Sequence, residues 1–222
     1  MTSNREKTII IGAGEQGRVM LDYLKAGGCC IGGFLDDDEH VCIQLEVKGY
    51  PVLGKTADAG LFGKCSRFSV ALGDNHKRGE IMKSLWERDF EIAGFVHPSA
   101  IVSKSAGIGR GTVIGPGAII CNEATIGDGA IIDSGSIVEH DCRVSDFVNL
   151  SPGSLLVSGN RIGRYSWIGA RATINEDVNV GENCIVGASS LVTRDVPDNV
   201  LAFGIPAKAM GVVDANGRKV VP

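Results

Sequence analysis

Aliphatic side chains recur at every sixth position in the second half of the chain, from Val102 to Val192. The fourth residue after each of these sixteen positions is small or β-branched in fifteen cases, and Asn160 is the exception. A hexapeptide period is typical of a parallel β-helix, in which each hexad supplies a short strand and a turn. The aliphatic residue then fills the axis, and the next coil stacks about 4.8 Å away. The pattern predicts a prism of about five coils.

The first hundred residues follow another pattern, in which short apolar runs end in glycine or aspartate. Lys7–Ile11 predicts a buried strand and leads into a GxGxxG sequence at Gly12–Gly17. A second strand is expected at Ile31–Leu35, and Asp36–Asp38 follow it about 20 residues after the glycine loop. Glycines let backbone N–H groups approach a diphosphate at a helix N-terminus. A carboxylate at the next strand end can bind ribose or base donors, so this order favours a nucleotide-binding unit.

The other elements of this region continue the alternation of strands and helices. A helix is predicted between the glycine loop and Gly27. A third strand is expected at Phe68–Leu72, a helix from about Lys77 to Arg88, and a strand at Ile92–Val96. The residues expected on the buried face of the first helix are Val19, Met20, Tyr23 and Leu24.

The two patterns predict two domains. Residues 1–97 are assigned to a Rossmann-like α/β domain, and residues 98–222 to an all-β parallel β-helix with a C-terminal tail. The first region has room for little more than one βαβαβ half, whereas a complete NAD domain needs two. A hydride-transfer enzyme is therefore less favoured. A small α/β domain whose glycines only make turns is the other alternative.

Composition and charge restrict the partners. The 222 residues include 31 glycines, and 7 Phe, 3 Tyr and 2 Trp are the only aromatics, which favours a turn-rich fold with a thin core. The formal net charge is −4 and no block of Lys or Arg occurs, so nucleic acid is not an expected partner. No apolar run reaches 18 residues, and Met1–Lys7 lacks a signal-peptide pattern. A cytoplasmic location without membrane association is expected.

The cysteines do not indicate a metal or disulfide framework. They are seven in number and include no CxxC. Cys142 and Cys184 occupy the small-residue position of their hexads, so we interpret them as packing residues and not as nucleophiles. The aromatics of the repeat are expected to cover the prism surface or a subunit seam rather than to stack on adenine; they are Phe147, Tyr165 and Trp167.

His140 is the only histidine within the repeat. It holds the third position of its hexad, which is neither the axial nor the small-residue position, so its imidazole should point outward. Glu139 and Asp141 flank it, and either carboxylate could orient the ring and raise its basicity. The alternative is that a lone histidine in this position is a surface residue without a catalytic role. A β-helix zinc site needs three histidines, so no metal is expected.

Several motifs follow one another in an order that resembles one enzyme family. They are GAGEQG, LDDD, LGDN, the EHDC of the repeat, and the GIPAK of Gly204–Lys208. In this combination the chain resembles the sialic acid O-acetyltransferase group, which includes bacterial enzymes that acetylate nucleotide-linked 4-amino-4,6-dideoxy sugars. The resemblance implies a left-handed β-helix and a homotrimer whose active sites lie at the subunit interfaces, with acetyl-CoA as co-substrate between adjacent prisms. It covers nearly the whole chain.

The resemblance also implies roles for residues of the prism. His140 would be the general base on the sugar, Asp141 would raise its basicity, and the backbone N–H of Ser158 would stabilise the oxyanion. Transfer would be direct, without a metal or an acyl-enzyme. Ser158 stands where relatives commonly have glycine, and Asn149 stands where some have a second histidine that contacts acetyl-CoA. The residues implied in acetyl-CoA binding are Asn149, Ala170, Ala188 and Lys208.

In the N-terminal domain, the resemblance implies a site for the nucleotide sugar. Gln16 replaces a histidine of many relatives, and Asp36 and Asp37 are the expected contacts to ribose or base. Any one aspartate of this run could equally be a turn residue. The implied substrate-binding residues are Gly14, Glu15, Gln16, Asp36, Asp37, Gly73, Asp74 and Asn75.

The implied function is N-acetylation of the 4-amino group of a UDP- or GDP-linked 4-amino-4,6-dideoxy sugar, such as a perosamine or bacillosamine precursor, in lipopolysaccharide or O-antigen biosynthesis. Two aspartates can accept hydrogen bonds from uracil or from guanine, so the base is left open. O-acetylation of a sialic-acid-like sugar is the alternative. A non-enzymatic nucleotide-sensing scaffold is a more distant one.

Overall fold

The computed structural model describes residues 7–62 and 66–220. The chain folds into two compact units: the N-terminal one ends at Phe95, and the C-terminal one comprises Asp74–His76 and the chain from Val96 onward. Residues 1–6, which entered the signal-peptide expectation, and Cys65 lie outside the described residues. No helix within the described ranges has both the length and the apolar character that a membrane span requires.

The N-terminal unit is built on a small parallel sheet. In chain order its elements are β1 (Lys7–Ile11), α1 (Glu15–Ala26), β2 (Ile31–Leu35), α2 (Glu39–Cys42), β3 (Glu46–Val47), β4 (Tyr50–Pro51), a 3₁₀ helix (Thr56–Phe62), β5 (Ser66–Val70) and α3 (Asn75–Glu87). The next strand, β6 (Phe95–Val96), belongs to a sheet of the β-helix. β1 lies between β2 and β5 and is parallel to both. The strand order reverses at β1, so a crevice is expected at the carboxyl ends of these strands.

Two strand predictions were wrong in their bounds. β5 runs over Ser66–Val70 rather than Phe68–Leu72, since its five residues pair in register with β1. The predicted strand at Ile92–Val96 is reduced to a single bridge at Ile92 and the two residues of β6. Gly94 lies between them, and glycine weakens a strand interior.

The helices also differ from the predictions. α3 begins at Asn75, two residues before the predicted start. On α1, Val19 is 37% exposed and does not belong to the buried face. That face includes Gly17 instead, where an added Cβ would lie 2.0 Å from the Gly12 carbonyl oxygen. The buried residues of α1 are Gly17, Met20, Leu21 and Leu24.

The C-terminal unit is a left-handed parallel β-helix, as expected. Its two-residue strands are β7 (Ile101–Val102), β8 (Gly107–Ile108), β9 (Val113–Ile114), β10 (Ile119–Ile120), β11 (Thr125–Ile126), β12 (Ile131–Ile132), β13 (Ile137–Val138), β14 (Arg143–Val144), β15 (Asn149–Leu150), β16 (Leu155–Leu156), β17 (Arg161–Ile162), β18 (Trp167–Ile168), β19 (Thr173–Ile174), β20 (Asn179–Val180), β21 (Ile185–Val186) and β22 (Leu191–Val192). A tail follows with β23 (Val200–Gly204), β24 (Ala207–Val213) and β25 (Lys219–Val220), and β23 pairs with β21.

The strands stack into three faces. Face 1 contains β7, β10, β13, β16, β19 and β22; face 2 contains β8, β11, β14, β17 and β20; face 3 contains β9, β12, β15, β18 and β21. Every axial residue from Ile114 to Val192 is buried. The fourth hexad position takes the left-handed backbone conformation, for glycines such as Gly129 (φ 62°) and for other residues such as Asp141 (φ 62°). The glycine excess therefore follows the turns of the coil.

The sixth hexad residue points away from the axis, and its chemistry differs between faces. On face 1 this column is mostly aliphatic, consisting of Ile101, Ile119, Ile137, Leu155, Thr173 and Leu191. On face 2 it is polar, consisting of Gly107, Thr125, Arg143, Arg161 and Asn179. On face 1, Ile101 is exposed and the other five are half-buried.

The segment Asp74–His76 is held by turns of the prism. The Asn75 amide donates to the carbonyl oxygens of Tyr165 (2.9 Å) and Ser166 (3.2 Å). The His76 ring stacks on Tyr165 at 4.5 Å between centroids, and Tyr165 stacks on Phe147 at 5.3 Å. These contacts give two of the three repeat aromatics a packing role. Trp167 is 41% exposed and donates from its indole nitrogen to Ser151 Oγ at 2.6 Å.

Candidate active site

His140 lies in the turn that joins β13 to β14, and its side chain is 50% exposed, as the hexad register predicts. Its Nδ1 is 2.7 Å from Oδ2 of Asp141. Of the two flanking acids, Asp141 therefore orients the ring. A carboxylate only accepts hydrogen bonds, so Nδ1 carries the hydrogen and Nε2 of the neutral ring keeps a lone pair.

The surroundings of His140 make it more basic. Its pKa is raised chiefly by the hydrogen bond to Asp141; desolvation acts in the opposite direction, and the charges of Asp141, Glu139 and Glu176 raise the pKa further. A raised pKa means that the neutral imidazole is a stronger proton acceptor once it forms. The arrangement is suited to taking a proton from a group that approaches Nε2.

Ser158 lies one coil away from His140 on the same edge of the prism. We name the turns 121–124, 139–142, 157–160 and 175–178, which follow face 1, the histidine edge. The N–H of Gly159 donates to the His140 carbonyl at 3.1 Å, which fixes the distance between the two turns. The Ser158 hydroxyl donates to Glu176 Oε1 at 3.2 Å. Among the described residues, nothing accepts the backbone N–H of Ser158, so it can donate to a ligand.

The residues expected at acetyl-CoA fall in three places. Ala170 and Ala188 lie one coil apart in the turns after face 3, where the Ser189 N–H donates to the Ala170 carbonyl at 2.8 Å. Within the described chain, the N–H groups of both alanines have no acceptor. Asn149 is buried on face 3, 8% exposed. Lys208 is exposed on β24, opposite Phe203.

Two of the three cysteines of the repeat, Cys142 and Cys184, are packing residues. Cys142 and Cys184 have no exposed surface, and their thiols donate to the carbonyl oxygens of Val157 (3.1 Å) and Pro197 (2.9 Å). Burial raises the pKa of Cys142 to about 11 and also raises that of Cys184. Thiols held protonated in this way are poor nucleophiles.

The N-terminal unit has a cavity of about 450 Å³ at the carboxyl ends of its strands. Asp36 and Asp37 line it together with Gly12, Thr56 and Lys77. Asp36 accepts the N–H of Ala13 at 2.6 Å, and Asp37 accepts the N–H of Thr56 at 2.8 Å. Each carboxylate has about four lone-pair positions, so both retain acceptors for a ligand.

The glycines of the loop Gly12–Gly17 differ in their surroundings. Gly12 has φ 96°, and an added Cβ would lie 2.7 Å from the Ala71 carbonyl oxygen. At Gly14 an added Cβ would meet nothing within 4 Å, so this glycine leaves open space above the N-terminus of α1. Glu15 and Gln16 form the first turn of that helix, and Gln16 is half-buried.

Three further predicted substrate residues do not line this cavity. Gly73 follows Leu72, which lines the cavity, but Gly73 is not itself a lining residue. Asp74 and Asn75 are grouped with the C-terminal unit. Asn75 is 6% exposed, and its amide is bound to prism carbonyls. The cavity therefore brings Asp36 and Asp37 together, and Gly73, Asp74 and Asn75 are not among its lining residues.

Sequence reasoning missed some residues of these sites. Lys77 and Thr56 line the N-terminal cavity. Lys77 stands three residues after the LGD sequence, and this proximity to a predicted strand end was the available signal. Arg143 and Arg161 line a second cavity beside Asp141, and their spacing of eighteen residues, three hexads, was the signal there. No cluster of three or more His, Cys, Asp or Glu side chains suited to a metal occurs among residues 7–62 and 66–220.

Fold and site together define a transferase built on hexapeptide repeats. The bacterial transferase hexapeptide (six repeats) family model matches residues 161–194, and the PglD N-terminal domain model matches residues 7–85. PerB from Caulobacter crescentus, whose crystal structure contains CoA and GDP-perosamine, is 35% identical with a TM-score of 0.87, over 92% of this chain and 97% of that chain.

The acetyltransferase domain of PglB from Neisseria gonorrhoeae, in complex with acetyl coenzyme A, is 32% identical with a TM-score of 0.86, over 92% of this chain and 99% of that chain. WeeI from Acinetobacter baumannii shares the fold at 22% identity, with a TM-score of 0.82. A search of curated protein sequences gave no match. The chain belongs to this family of acetyl-CoA-dependent sugar acetyltransferases and is an acyltransferase.

Proposed function

We propose that the enzyme transfers the acetyl group of acetyl-CoA to the 4-amino group of a nucleotide-linked 4-amino-4,6-dideoxy sugar, with His140 as the general base. The observation that carries the proposal is the exposed imidazole of His140, bound through Nδ1 to Asp141 one coil from the unpaired N–H of Ser158. The similarity to PerB, whose structure contains GDP-perosamine, supports an amino sugar as acceptor.

The reaction joins the sugar nitrogen to the thioester carbonyl carbon. His140 Nε2 takes a proton from the amine as its nitrogen attacks, and the carbonyl oxygen gains the negative charge. The Ser158 N–H donates to this oxyanion. When the intermediate collapses, the C–S bond breaks, and the proton held by His140 passes to the departing CoA sulfur. General-base assistance of this kind contributes about 10²–10⁴-fold.

The acetyl-CoA arm would follow the turns after face 3. The unpaired N–H groups of Ala170 and Ala188, one coil apart, are donors for the amide carbonyls of a pantetheine chain. Asn149 supplies a side-chain amide on the same face, and Lys208 supplies a charge for the CoA phosphates.

The nucleotide would bind at the strand ends of the N-terminal unit. The open space at Gly14 lets a phosphate approach the N–H groups of Glu15 and Gln16 at the start of α1. Asp36 and Asp37 retain acceptors for the ribose or the base, and Lys77 lines the same cavity.

A homotrimer is part of the proposal. The aliphatic column of face 1 borders the histidine edge and offers a second copy an apolar surface beside His140. A neighbouring prism packed against it would supply the second wall of the catalytic site.

The test is a panel of UDP- and GDP-linked 4-amino sugars, assayed with acetyl-CoA for release of free CoA thiol. At least one sugar should release CoA and gain an amide, detected by NMR. His140→Asn should lower turnover by about 100-fold or more while the melting temperature stays unchanged, because the side chain is half exposed.

Three results would contradict the proposal. These are no release with any sugar, acetylation of hydroxyl groups alone, and near-wild-type turnover of His140→Asn. Light scattering checks the trimer.

A further inference from the structure

The thiol of Cys142 is inserted into the turn that carries Ser158. It donates to the Val157 carbonyl, one coil further along the prism, at 3.1 Å. Burial raises the pKa of this thiol to about 11, so it keeps the hydrogen that it donates. A hydrogen bond from the Asn160 N–H to the sulfur opposes this shift. The side chain of Cys142 therefore bonds to both ends of the turn 157–160.

Other turns of the prism close without such a side chain. In them, the N–H of the fifth hexad residue donates to the carbonyl of the second, as Ala172 does to Gly169 at 3.0 Å. Among the described residues, no such bond joins Asn160 to Val157. Within the same part of the chain, the Cys142 thiol is the one donor to the Val157 carbonyl. The closure of this turn consequently depends on Cys142.

The inserted thiol determines the direction of the Ser158 N–H. The Val157 carbonyl and the Ser158 N–H belong to one peptide unit, which is trans. In a trans peptide unit these two groups point in opposite directions. Because Cys142 belongs to the core of the prism and holds the carbonyl from that side, the N–H is presented on the outer side of the turn.

Two hydroxyl groups make the same arrangement in the turns after face 2. Thr112 and Ser166 each donate to a carbonyl oxygen one coil further along, both at 2.7 Å. The N–H groups of the same two peptide units, those of Asp128 and Glu182, donate to carboxylates at 2.9 Å and 2.8 Å. A bond to the carbonyl from the core thus accompanies an N–H that donates on the outside. For Ser158, no described residue supplies the outer acceptor.

We propose that Cys142 is a positioning residue, which orients the Ser158 N–H toward the oxyanion of the acetyl transfer. The inference rests on the proposed function, in which this N–H is the oxyanion donor. A donor that is already aimed at the developing charge stabilises it without reorganisation. Cys142 has no exposed surface, so it acts through the peptide unit and not on a substrate. The histidine, the aspartate and the cysteine of the EHDC sequence then serve the same reaction.

The test compares Cys142→Ala with Cys142→Ser. Alanine and serine occupy the fifth hexad position elsewhere, as at Ala172 and Ser166, so the prism accepts both. Cys142→Ala removes the donor and should lower kcat by about tenfold, a part of the cost of losing one oxyanion donor. The KM values of both substrates should stay within about twofold of wild type, because the oxyanion exists only in the transition state. Cys142→Ser keeps a donor and should recover most of the lost kcat.

The matched control is Cys184, the other buried cysteine of the repeat. Its thiol also donates to a carbonyl, that of Pro197 at 2.9 Å, but in a turn after face 2. Cys184→Ala should therefore leave kcat unchanged and should alter the melting temperature as much as Cys142→Ala does. The pair separates the loss of a buried thiol from the loss of positioning.

A double-mutant cycle measures whether Cys142 acts through the Ser158 N–H. In a Ser158→Pro background this N–H is absent, so Cys142→Ala should lower kcat no further. Three results would overturn the inference: an equal loss in both backgrounds, wild-type kcat in Cys142→Ala, and a Cys142→Ser variant as slow as Cys142→Ala. If Ser158→Pro alone keeps wild-type kcat, the oxyanion role in the proposed function fails, and the inference fails with it.

Amide hydrogen exchange tests the positioning without turnover, in case the wild type acetylates no nucleotide sugar and the proposed function fails. The Asn160 N–H should exchange faster in Cys142→Ala than in the wild type, because its acceptor is lost, whereas Cys142→Ser should restore the protection. Equal exchange in the three proteins would show that the thiol does not hold this turn.

Discussion

Two edges of the same prism share one turn geometry but differ in whether the backbone N–H groups of their turns have acceptors. In the turns after face 2, which we name the capped edge, carboxylates one coil further along accept the N–H groups of three of the five third-position residues, Arg110, Asp128 and Glu182. Asp128 accepts that of Arg110 at 2.7 Å, and Asp146 accepts that of Asp128 at 2.9 Å. On the histidine edge, the N–H of Ser158 stays without an acceptor among the described residues, next to the imidazole of His140.

The difference shows which positions of the hexad are available for chemistry. The axial and small residues fill the core, and the fourth residue takes the left-handed turn on either edge, as at Asp141 (φ 62°) and Tyr165 (φ 62°). The residue at the third position contributes neither to the core nor to the left-handed turn. A carboxylate of the next coil can accept the N–H of the third residue and stabilise the turn. Alternatively, this N–H has no acceptor and is available to a ligand, and the fold is the same in both cases.

The largest effect is expected when the backbone N–H of Ser158, which has no acceptor among the described residues, is removed. Ser158→Pro should lower kcat by about 10²–10³-fold, the cost of losing one oxyanion donor. Pro116 and Pro152 already occupy third positions of this prism, so the coil accepts proline there. Ser158→Gly keeps the N–H and should retain wild-type kcat. Steady-state kinetics and melting curves measure both, and equal activity of the two variants would refute the role of the N–H.

A smaller effect is expected when His140 loses its carboxylate partner, Asp141. Asp141→Asn removes the charge and weakens the hydrogen bond that raise the pKa of His140, so the pKa should fall. The neutral, active form then appears at lower pH, and the rising limb of kcat/KM against pH should move to lower pH. The plateau should drop by about tenfold because a weaker base assists less. A limb that stays at the wild-type pH would contradict this account.

The smallest effect is expected on the capped edge, and it concerns stability. Asp146→Ala removes the acceptor of the Asp128 N–H and should lower the free energy of unfolding by about 1 kcal/mol, as for loss of a cap. Turnover should not change. Lys104→Ala, at the third position of a turn after face 1, is the matched control and should leave stability unchanged. Urea unfolding measures the stability of both variants. A loss of activity in Asp146→Ala would contradict the view that the capped edge serves stability and the histidine edge serves activity.

The sequence predicted the prism well because its signal is local and repeated. The period places Val138 on the axis, Cys142 beside it and His140 outside, and the structure agrees at each position. The role of Asn75 was beyond such reasoning, since its amide is satisfied by Tyr165 and Ser166, about ninety residues away. Likewise, no local pattern tells which of the two flanking acids turns toward His140.

The contacts of Asp74–His76 determine which segments must be kept together when domains of such enzymes are exchanged in chimeras. A prism begun at residue 98 would lack the Asn75 amide and the His76 ring. The Tyr165 carbonyl would lose its side-chain donor and the aromatic surface of Tyr165 and Phe147 would be uncovered, whereas the Ser166 carbonyl would keep the N–H of Asn149. A chimera that grafts a foreign N-terminal domain onto this β-helix should therefore keep Asp74–His76 from the parent. The compact C-terminal unit consists of the prism together with a short piece of chain that precedes it by some twenty residues.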